Sequence, residues 1–363
     1  MLLDTHRPFR VYTTLLRKCL HLVTHRTIAT KRDLYYRDVG LFRNQATVDN
    51  ALEDIAASLG VRRGCLHVVA ASRGLIAGAV VYVLRSGERV TVSEHDSEQG
   101  AMLPPPETIA EILPPPLETF VLIVEKEATF RSLLKLGFHH RFGPCILMTG
   151  RGYPDVATRA FVKRLAGVMR RQTIEPKLGP YLAKDGSDDS IAALPPSSAP
   201  LPNASPASRL PLYVLTDNDP HGIDIFLCYS RGSRSMAFDA ASLACPDVQW
   251  LGLRTDAWYG PIAASWSPHP SGQLSRGVTE GDWEPDGVRQ ARSLPLTPQD
   301  RRKAVSCLAQ VGLRQDPDLA VCRRDLSRML FLQRKCEIQL FEDEALVQWL
   351  VRRLDLGLRP CGP

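Results

Sequence analysis

The residues best placed to do chemistry are three carboxylates and a tyrosine pair. Glu125 follows the apolar run Phe120–Val124, and Asp217 and Asp219 follow the apolar run Leu212–Leu215. Open α/β sheets hold ligands at the carboxyl ends of their strands. Two such runs in one sheet would therefore bring the three acids to a common rim. An all-oxygen donor set suits Mg²⁺, which takes one or two carboxylates together with water and phosphate oxygens. The segment Asp217-Asn218-Asp219-Pro220 has a second reading, because the same residues make good turns and helix N-caps. Asp-x-Asp also occurs in metal-dependent glycosyltransferases, so a metal alone would not name a substrate.

Tyr35 and Tyr36 close the stretch Lys31-Arg32-Asp33-Leu34-Tyr35-Tyr36. On a helix, Arg32 and Tyr36 are four residues apart and share a face. A guanidinium there would hold a phosphate and offset developing negative charge. A phenol has a pKa near 10, so it needs such help to attack. Packing or surface aromatics are the alternative role for such a pair. A further turn, Thr149-Gly150-Arg151-Gly152-Tyr153-Pro154-Asp155, lets backbone approach an anion at a helix start. It lacks Gly-Lys-Ser/Thr and is no P-loop, so no ATP site is expected.

The elements that must position these residues fall into two groups. Phe9, Tyr12, Leu16, Cys19, Leu20 and Val23 recur at helical spacing; a short helix over 30–39 and a third over 46–59 follow, stopped by Gly60. Two strand-like runs, 66–70 and 76–84, come next. Three helices and a hairpin predict a winged-helix module over 1–85. Residues 1–80 hold twelve Lys/Arg against six Asp/Glu, while the whole chain is +6, so the net charge sits in this module. A polyanion is the matching partner. Residues 86–118, with Pro104–Pro106 and Pro114–Pro116, read as a linker.

From residue 119 to 363 strands alternate with helices, which predicts a mostly parallel α/β sheet. Later strands are expected at 235–238 and 248–253, and closing helices at 298–311 and 326–354. Residues 174–209, rich in Pro, Ser, Ala and Asp, read as a disordered insertion. Residues 257–293 mix three tryptophans with Pro, Gly and Ser. Nine scattered cysteines without a Cys-x-x-Cys pair fit a reducing compartment. The longest apolar run, 75–84, is about half of what a membrane span needs. No membrane contact and an intracellular protein are the expectations.

Taken in order, eight stretches resemble one family: the A-type component of type IIB DNA topoisomerases and its eukaryotic relative, the meiotic double-strand-break transesterase. They are ATKRDLYYRDVGLFRNQATVDN (29–50), SRGLIAG (72–78), VLIVEKEATF (121–130), ILMTGRGYPD (146–155), TDNDPHGIDI (216–225), WLGL (250–253), LPLTPQDR (294–301) and KCEIQLF (335–341). Their spacing favours the meiotic branch. The resemblance implies a CAP-like winged helix followed by a Rossmann-like Toprim domain. It implies Tyr36 as nucleophile with Arg32 beside it, Glu125, Asp217 and Asp219 as Mg²⁺ ligands, and Arg73, Lys126 and Arg151 on DNA. It further implies double-stranded DNA as substrate, a 5′-phosphotyrosyl intermediate, a homodimer or two copies with a topoisomerase VI B-like subunit, and a nuclear site of action. The alternatives are a strand-passing topoisomerase component, a silent DNA-binding scaffold and an unrelated metal-dependent transferase. Arg73 and Arg151 stand where the family has Lys, which swaps a point charge for a planar fork. The insertion at 174–209 is long for the family. Little precedes the first helix, where relatives carry an extension that helps dock the B-type subunit.

Overall fold

The computed structural model describes residues 6–61, 63–69, 72–92, 99–178, 210–233, 240–258, 293–311, 317–341 and 343–355. Its first part is helical. Helix α1 (Arg7–Thr24) turns Val11, Leu15, Cys19 and Leu22 inward, and Pro8 fits its first turn, where no backbone donor is needed. The opposite side of α1 leaves Phe9, Leu16, Leu20 and Val23 exposed. Helix α2 (Lys31–Arg37) starts at a capping box: Asp33 N donates to Thr30 Oγ1 at 3.1 Å and Thr30 N to Asp33 Oδ2 at 2.9 Å. After α3 (Val39–Phe42), Asn44 caps α4 (Gln45–Ser58) by accepting from Thr47 N. Leu34, Phe42, Val48 and Leu52 close the core of this module with the inward face of α1.

Strand β1 (Ala29–Thr30) pairs in parallel with β2 (Val68–Val69), which ties the chain back onto the helices. The hairpin expected over 66–84 does not form. Strand β3 (Leu75–Gly78) instead pairs antiparallel with a strand of the second domain, and β4 (Val81–Leu84) joins a separate sheet. Strand β2 is taken by β1 and β3 by the second domain, and Gly78 is where the run leaves one sheet for the other. Its φ is +97°, and a Cβ there would fall against Cys145 O. The apolar run 75–84, continuous in sequence, is thus bent at a point only glycine tolerates. The change from helical module to α/β domain accordingly falls between Val69 and Leu75, not at 85.

The segment expected as linker also folds. It carries β5 (Arg89–Thr91), β6 (Ala101–Met102) and β7 (Ile109–Ile112). The order β5-β4-β7 makes a three-stranded antiparallel sheet, and the prolines mark its ends rather than a flexible tether.

The second domain is built on a six-stranded sheet of order β11-β10-β8-β9-β3-β6. Four strands are parallel: β8 (Phe120–Val124), β9 (Cys145–Thr149), β10 (Leu212–Leu215) and β11 (Gln249–Gly252). Every residue of β8 and β9 is buried, as expected where helices cover both faces of a parallel sheet. The covering helices include α5 (Glu127–Lys135), α6 (Phe138–Arg141), α7 (Val156–Leu178) and α8 (Pro220–Arg231). Helix α7 carries on through 174–178, the first residues of the expected insertion, whose remainder up to 209 lies outside the described residues. The strand expected at 235–238 and most of 257–293 also lie outside them. Trp258 is buried and donates to Asn218 Oδ1.

Three more helices follow: α9 (Ala240–Leu243), α10 (Pro298–Val311) and α11 (Pro317–Leu332). The helix expected over 326–354 is two elements. It breaks at Gln333, whose φ is +55°. There β13 (Arg334–Lys335) pairs with β12 (Leu294–Pro295), Cys336 bridges to Asn218, and helix α12 (Asp343–Arg353) starts afterwards. No described helix is long and apolar enough to cross a membrane. The eight described cysteines are free.

Candidate active site

The tyrosine pair is divided by the fold. Tyr35 is half-buried against the helical core, and its hydroxyl donates to Arg43 O at 3.4 Å. Tyr36 is 65% exposed, one turn beyond the capping box, with its ring 5.3 Å from that of Tyr35. Only the second phenol is presented to solvent. Arg32 is exposed as well, one turn before Tyr36. Among the described residues, neither makes a hydrogen bond or ion pair through its side chain.

The acids sit where adjacent parallel strands end. Leu215 of β10 lies opposite Val124 of β8, so Glu125 and Asp217 emerge side by side. Asp217 N donates to Glu125 Oε2 at 2.9 Å. The Asp217 carboxylate is almost wholly buried. Its Oδ1 accepts from Ile338 N at 2.8 Å, and its Oδ2 from Lys126 Nζ at 2.7 Å. Asp219 is the N-cap of α8 and accepts from Gly222 N at 2.6 Å, so it does serve the capping role open to it from sequence. The loop is fixed from both sides. Asn218 pairs through its backbone with Cys336, its side chain donates to Leu253 O, and it accepts from the Trp258 indole. Among the described residues, no three acidic, histidine or cysteine side chains converge as a preformed metal cage.

Electrostatics mark the cluster as short of positive charge. Burial, then repulsion from Asp217, pushes the Glu125 carboxyl up to about 8. Asp217 is also raised by burial, against the opposing pull of Ile338 N–H and Lys126. Two neighbouring carboxyls, Glu125 and Asp217, both held above their ordinary range by burial, fit a hard divalent cation, which would relieve the repulsion.

The third strand end adds the glycine turn. Gly152 N donates to Glu125 O at 2.9 Å, and Thr149 Oγ1 to the same oxygen. At Gly150 a Cβ would crowd the Tyr229 hydroxyl and Pro154, so this glycine serves close packing of the turn within the protein. The basic residues assigned to DNA all have protein partners. Arg151, at φ +57°, pairs with Glu127 at 2.7 Å. Arg73 donates from its backbone to Asp155 Oδ2 and from its side chain to Tyr153 O. Lys126 donates to Asp217 and also to Glu337 Oε2 (3.1 Å) and Gln339 Oε1 (2.6 Å). Glu337, Ile338 and Gln339 belong to the stretch KCEIQLF, which carried resemblance in the sequence but no assigned role.

The family model for type IIB DNA topoisomerase matches residues 7–68. The model for the Toprim domain shared by the A-type component of topoisomerase 6 and Spo11 matches 120–171 and 203–259. The chain belongs to the topoisomerase 6 A-type/Spo11 family. It is 36% identical to the human meiotic recombination protein SPO11 over 248 residues, covering 68% of this chain and 52% of that protein. The mouse protein of the same name is 32% identical over 333 residues, 92% of this chain and 66% of that one. The A-type component of DNA topoisomerase 6 from Arabidopsis thaliana is 28% identical over 345 residues, 93% and 64% respectively. The chain thus spans between half and two thirds of the length of these relatives. Arg32 and Tyr36 fall in the first family match; Glu125, Lys126, Arg151, Asp217 and Asp219 fall in the Toprim match. Arg73 lies between the two, and Glu337 lies beyond them.

Two expectations follow from this Toprim geometry. Gly222 lies in the first turn of α8, where a Cβ would fall against Asp217 O and the Thr216 side chain. Gly222→Ala should therefore destabilise the protein by about 1–3 kcal/mol by displacing the Asp217 loop. Thermal melting is the measurement, and an unchanged Tm would mean the loop yields without cost. The second concerns Glu125. Its raised pKa means the folded state binds more protons than the unfolded one between about pH 4.3 and 8. Stability in chelating buffer should fall as pH rises through that window. Glu125→Gln keeps an acceptor for Asp217 N and removes the charge. It should match wild type near pH 4 and exceed it by about 1–3 kcal/mol above pH 8. Parallel stability curves at both pH values would contradict the assigned shift.

Proposed function

We propose that this chain is the DNA-cleaving component of a meiotic double-strand-break complex, a topoisomerase-like transesterase acting in the nucleus. The observation that carries this reading is the phenol of Tyr36, the most exposed among the described tyrosines, on a capped helix in the family-matched basic module. In the reaction, Tyr36 Oη bonds to phosphorus of a DNA phosphodiester and its proton leaves to base. The P–O3′ bond breaks, and the 3′ oxygen takes up a proton. The protein stays attached to the 5′ end. One ester replaces another, so cleavage itself consumes no ATP. Arg32, on the same face as Tyr36, stabilises charge on the phosphoryl oxygens. Glu125, Asp217 and Asp219 would hold Mg²⁺, which supplies electrophilic stabilisation near the scissile phosphate when bound. Asp219 caps α8 through Oδ1 alone, which leaves its Oδ2 as the oxygen it would offer the metal. Arg73 and Arg151, exposed or half-exposed beside the acidic rim, position the DNA backbone.

The partners are double-stranded DNA, a second copy of the chain and a topoisomerase VI B-like subunit. Among the described residues, no contact joins Tyr36 or Arg32 to the acidic rim of the same chain. That supports a site shared between two chains, and a two-fold dimer matches the two-fold symmetry of a duplex. The exposed apolar side of α1, with Phe9, Leu16, Leu20 and Val23, supports docking of a helix from the B-type partner. Identities of 36% and 32% to the mammalian meiotic proteins stand slightly above those of 31% and 28% to plant topoisomerase 6 components, which leans toward the meiotic role.

The test mixes two dead chains, Tyr36→Phe and Glu125→Ala, with the B-type partner. A mixed dimer holds one intact site, so it should nick one strand of a duplex while each variant alone does nothing. Inactive mixtures, with mixed dimers on DNA demonstrated, would mean that each chain carries its own complete site.

A further inference from the structure

Lys126 has a different environment from the other basic residues at the rim. Its ammonium has three N–H donors, and the structure gives it three close acceptors: Asp217 Oδ2, Glu337 Oε2 and Gln339 Oε1. Two of these come from the stretch after β13, more than two hundred residues along the chain. That stretch is held at the rim by two further contacts, Ile338 N to Asp217 Oδ1 and the Asn218–Cys336 bridge. Lys126 follows Glu125 at the end of β8, and its side chain is three-quarters buried. With all its donors engaged, it is not set up as a free phosphate contact.

We propose that Lys126, cradled by Glu337 and Gln339, is a built-in counter-cation of the acidic rim that competes with the divalent metal for Asp217. The inference rests on the metal reading given above. Each oxygen of Asp217 already accepts one hydrogen bond, Oδ1 from Ile338 N and Oδ2 from Lys126 Nζ. A divalent cation on this carboxylate would sit at close range to the ammonium, and their repulsion favours moving Lys126 aside, with Glu337 and Gln339 left to receive it. The positive charge also lowers the attraction of the whole rim for a second cation. Lys126 thus makes metal binding weaker than the bare acids would allow, and it keeps buried Asp217 paired until metal arrives.

The measurement is Mg²⁺ titration by calorimetry on the full chain, wild type against Lys126→Gln and Lys126→Arg. The Gln variant keeps hydrogen bonding without charge and should bind Mg²⁺ about tenfold more tightly, the order expected for loss of one charge-assisted contact. The Arg variant keeps the competitor and should stay within about threefold of wild type. A second readout is the rise in Tm on adding Mg²⁺, which should be larger for the Gln variant at equal metal concentration. Equal or weaker binding by the Gln variant, with wild type binding normally, would overturn the competition while leaving the metal site intact. No binding by any of the three would overturn both.

Discussion

Tyr36→Phe is expected to abolish covalent attachment to DNA, by about 10⁴-fold or more in rate, while leaving DNA binding and folding largely unchanged. The phenolic oxygen makes no protein hydrogen bond among the described residues, and the ring is mostly in solvent. Removing one exposed oxygen should change stability by no more than about 0.5 kcal/mol. The loss would therefore report chemistry rather than structure. Denaturing gels of protein trapped on labelled duplex, with 5′-end analysis, provide the measurement. If 5′-linked protein persists in the variant, another residue attacks. Tyr35 is the nearest candidate, yet its hydroxyl donates to Arg43 O and its ring lies half-buried against the helical core.

Asp217→Asn is expected to be the second most damaging change. It preserves shape and keeps an oxygen to accept from Ile338 N, but its NH2 then faces the Lys126 ammonium, so the fold should survive at a cost of about 1–3 kcal/mol. It removes the anionic partner that Lys126 now touches and one anionic ligand from the proposed metal set. Divalent affinity and cleavage should fall together, by about 10²-fold or more, since ligand loss exceeds the 10–100-fold typical of groups one step removed from a metal. Calorimetry with Mg²⁺ and a nicking assay, run on the same preparation, test the pairing. Cleavage lost with metal affinity unchanged would move Asp217 from ligand to scaffold.

The acidic rim was readable in sequence because a simple rule applies to it. Apolar runs followed at once by acids are strand ends with polar tips, and the adjacency of β8 and β10 made one site of two runs. The tyrosine pair was only half readable. Helical spacing placed Arg32 with Tyr36, and the family resemblance selected the second tyrosine. Burial of Tyr35 against Leu34 and its neighbours gives that choice a physical basis. Elsewhere local pattern misled. Residues 75–84 look like one strand because glycine in a strand does not announce a positive φ. Residues 326–354 look like one helix because glutamine is an ordinary helix former, so the left-handed turn at Gln333 leaves no compositional mark. That second error hid the most informative part of the site. Glu337, Ile338 and Gln339 reach Asp217 and Lys126 only through tertiary pairing with Asn218, and no spacing rule spans such a distance. For the three basic residues assigned to DNA, the partners Glu127, Asp155 and Asp217 could not be paired with them from the sequence.

The late arrival of the 336–341 stretch has a consequence for synthesis. A ribosome works from the amino end, so the helical module with Tyr36 is complete long before residue 336 emerges. Up to that moment Asp217 lacks the backbone donor of Ile338, and Lys126 lacks two of its three acceptors. The loop that carries the acids cannot settle until that stretch has been made. Unfinished chains, and fragments cut short before β13, would carry Tyr36 on a folded module without a finished acidic rim, and so without the two elements that the proposed cleavage reaction needs together.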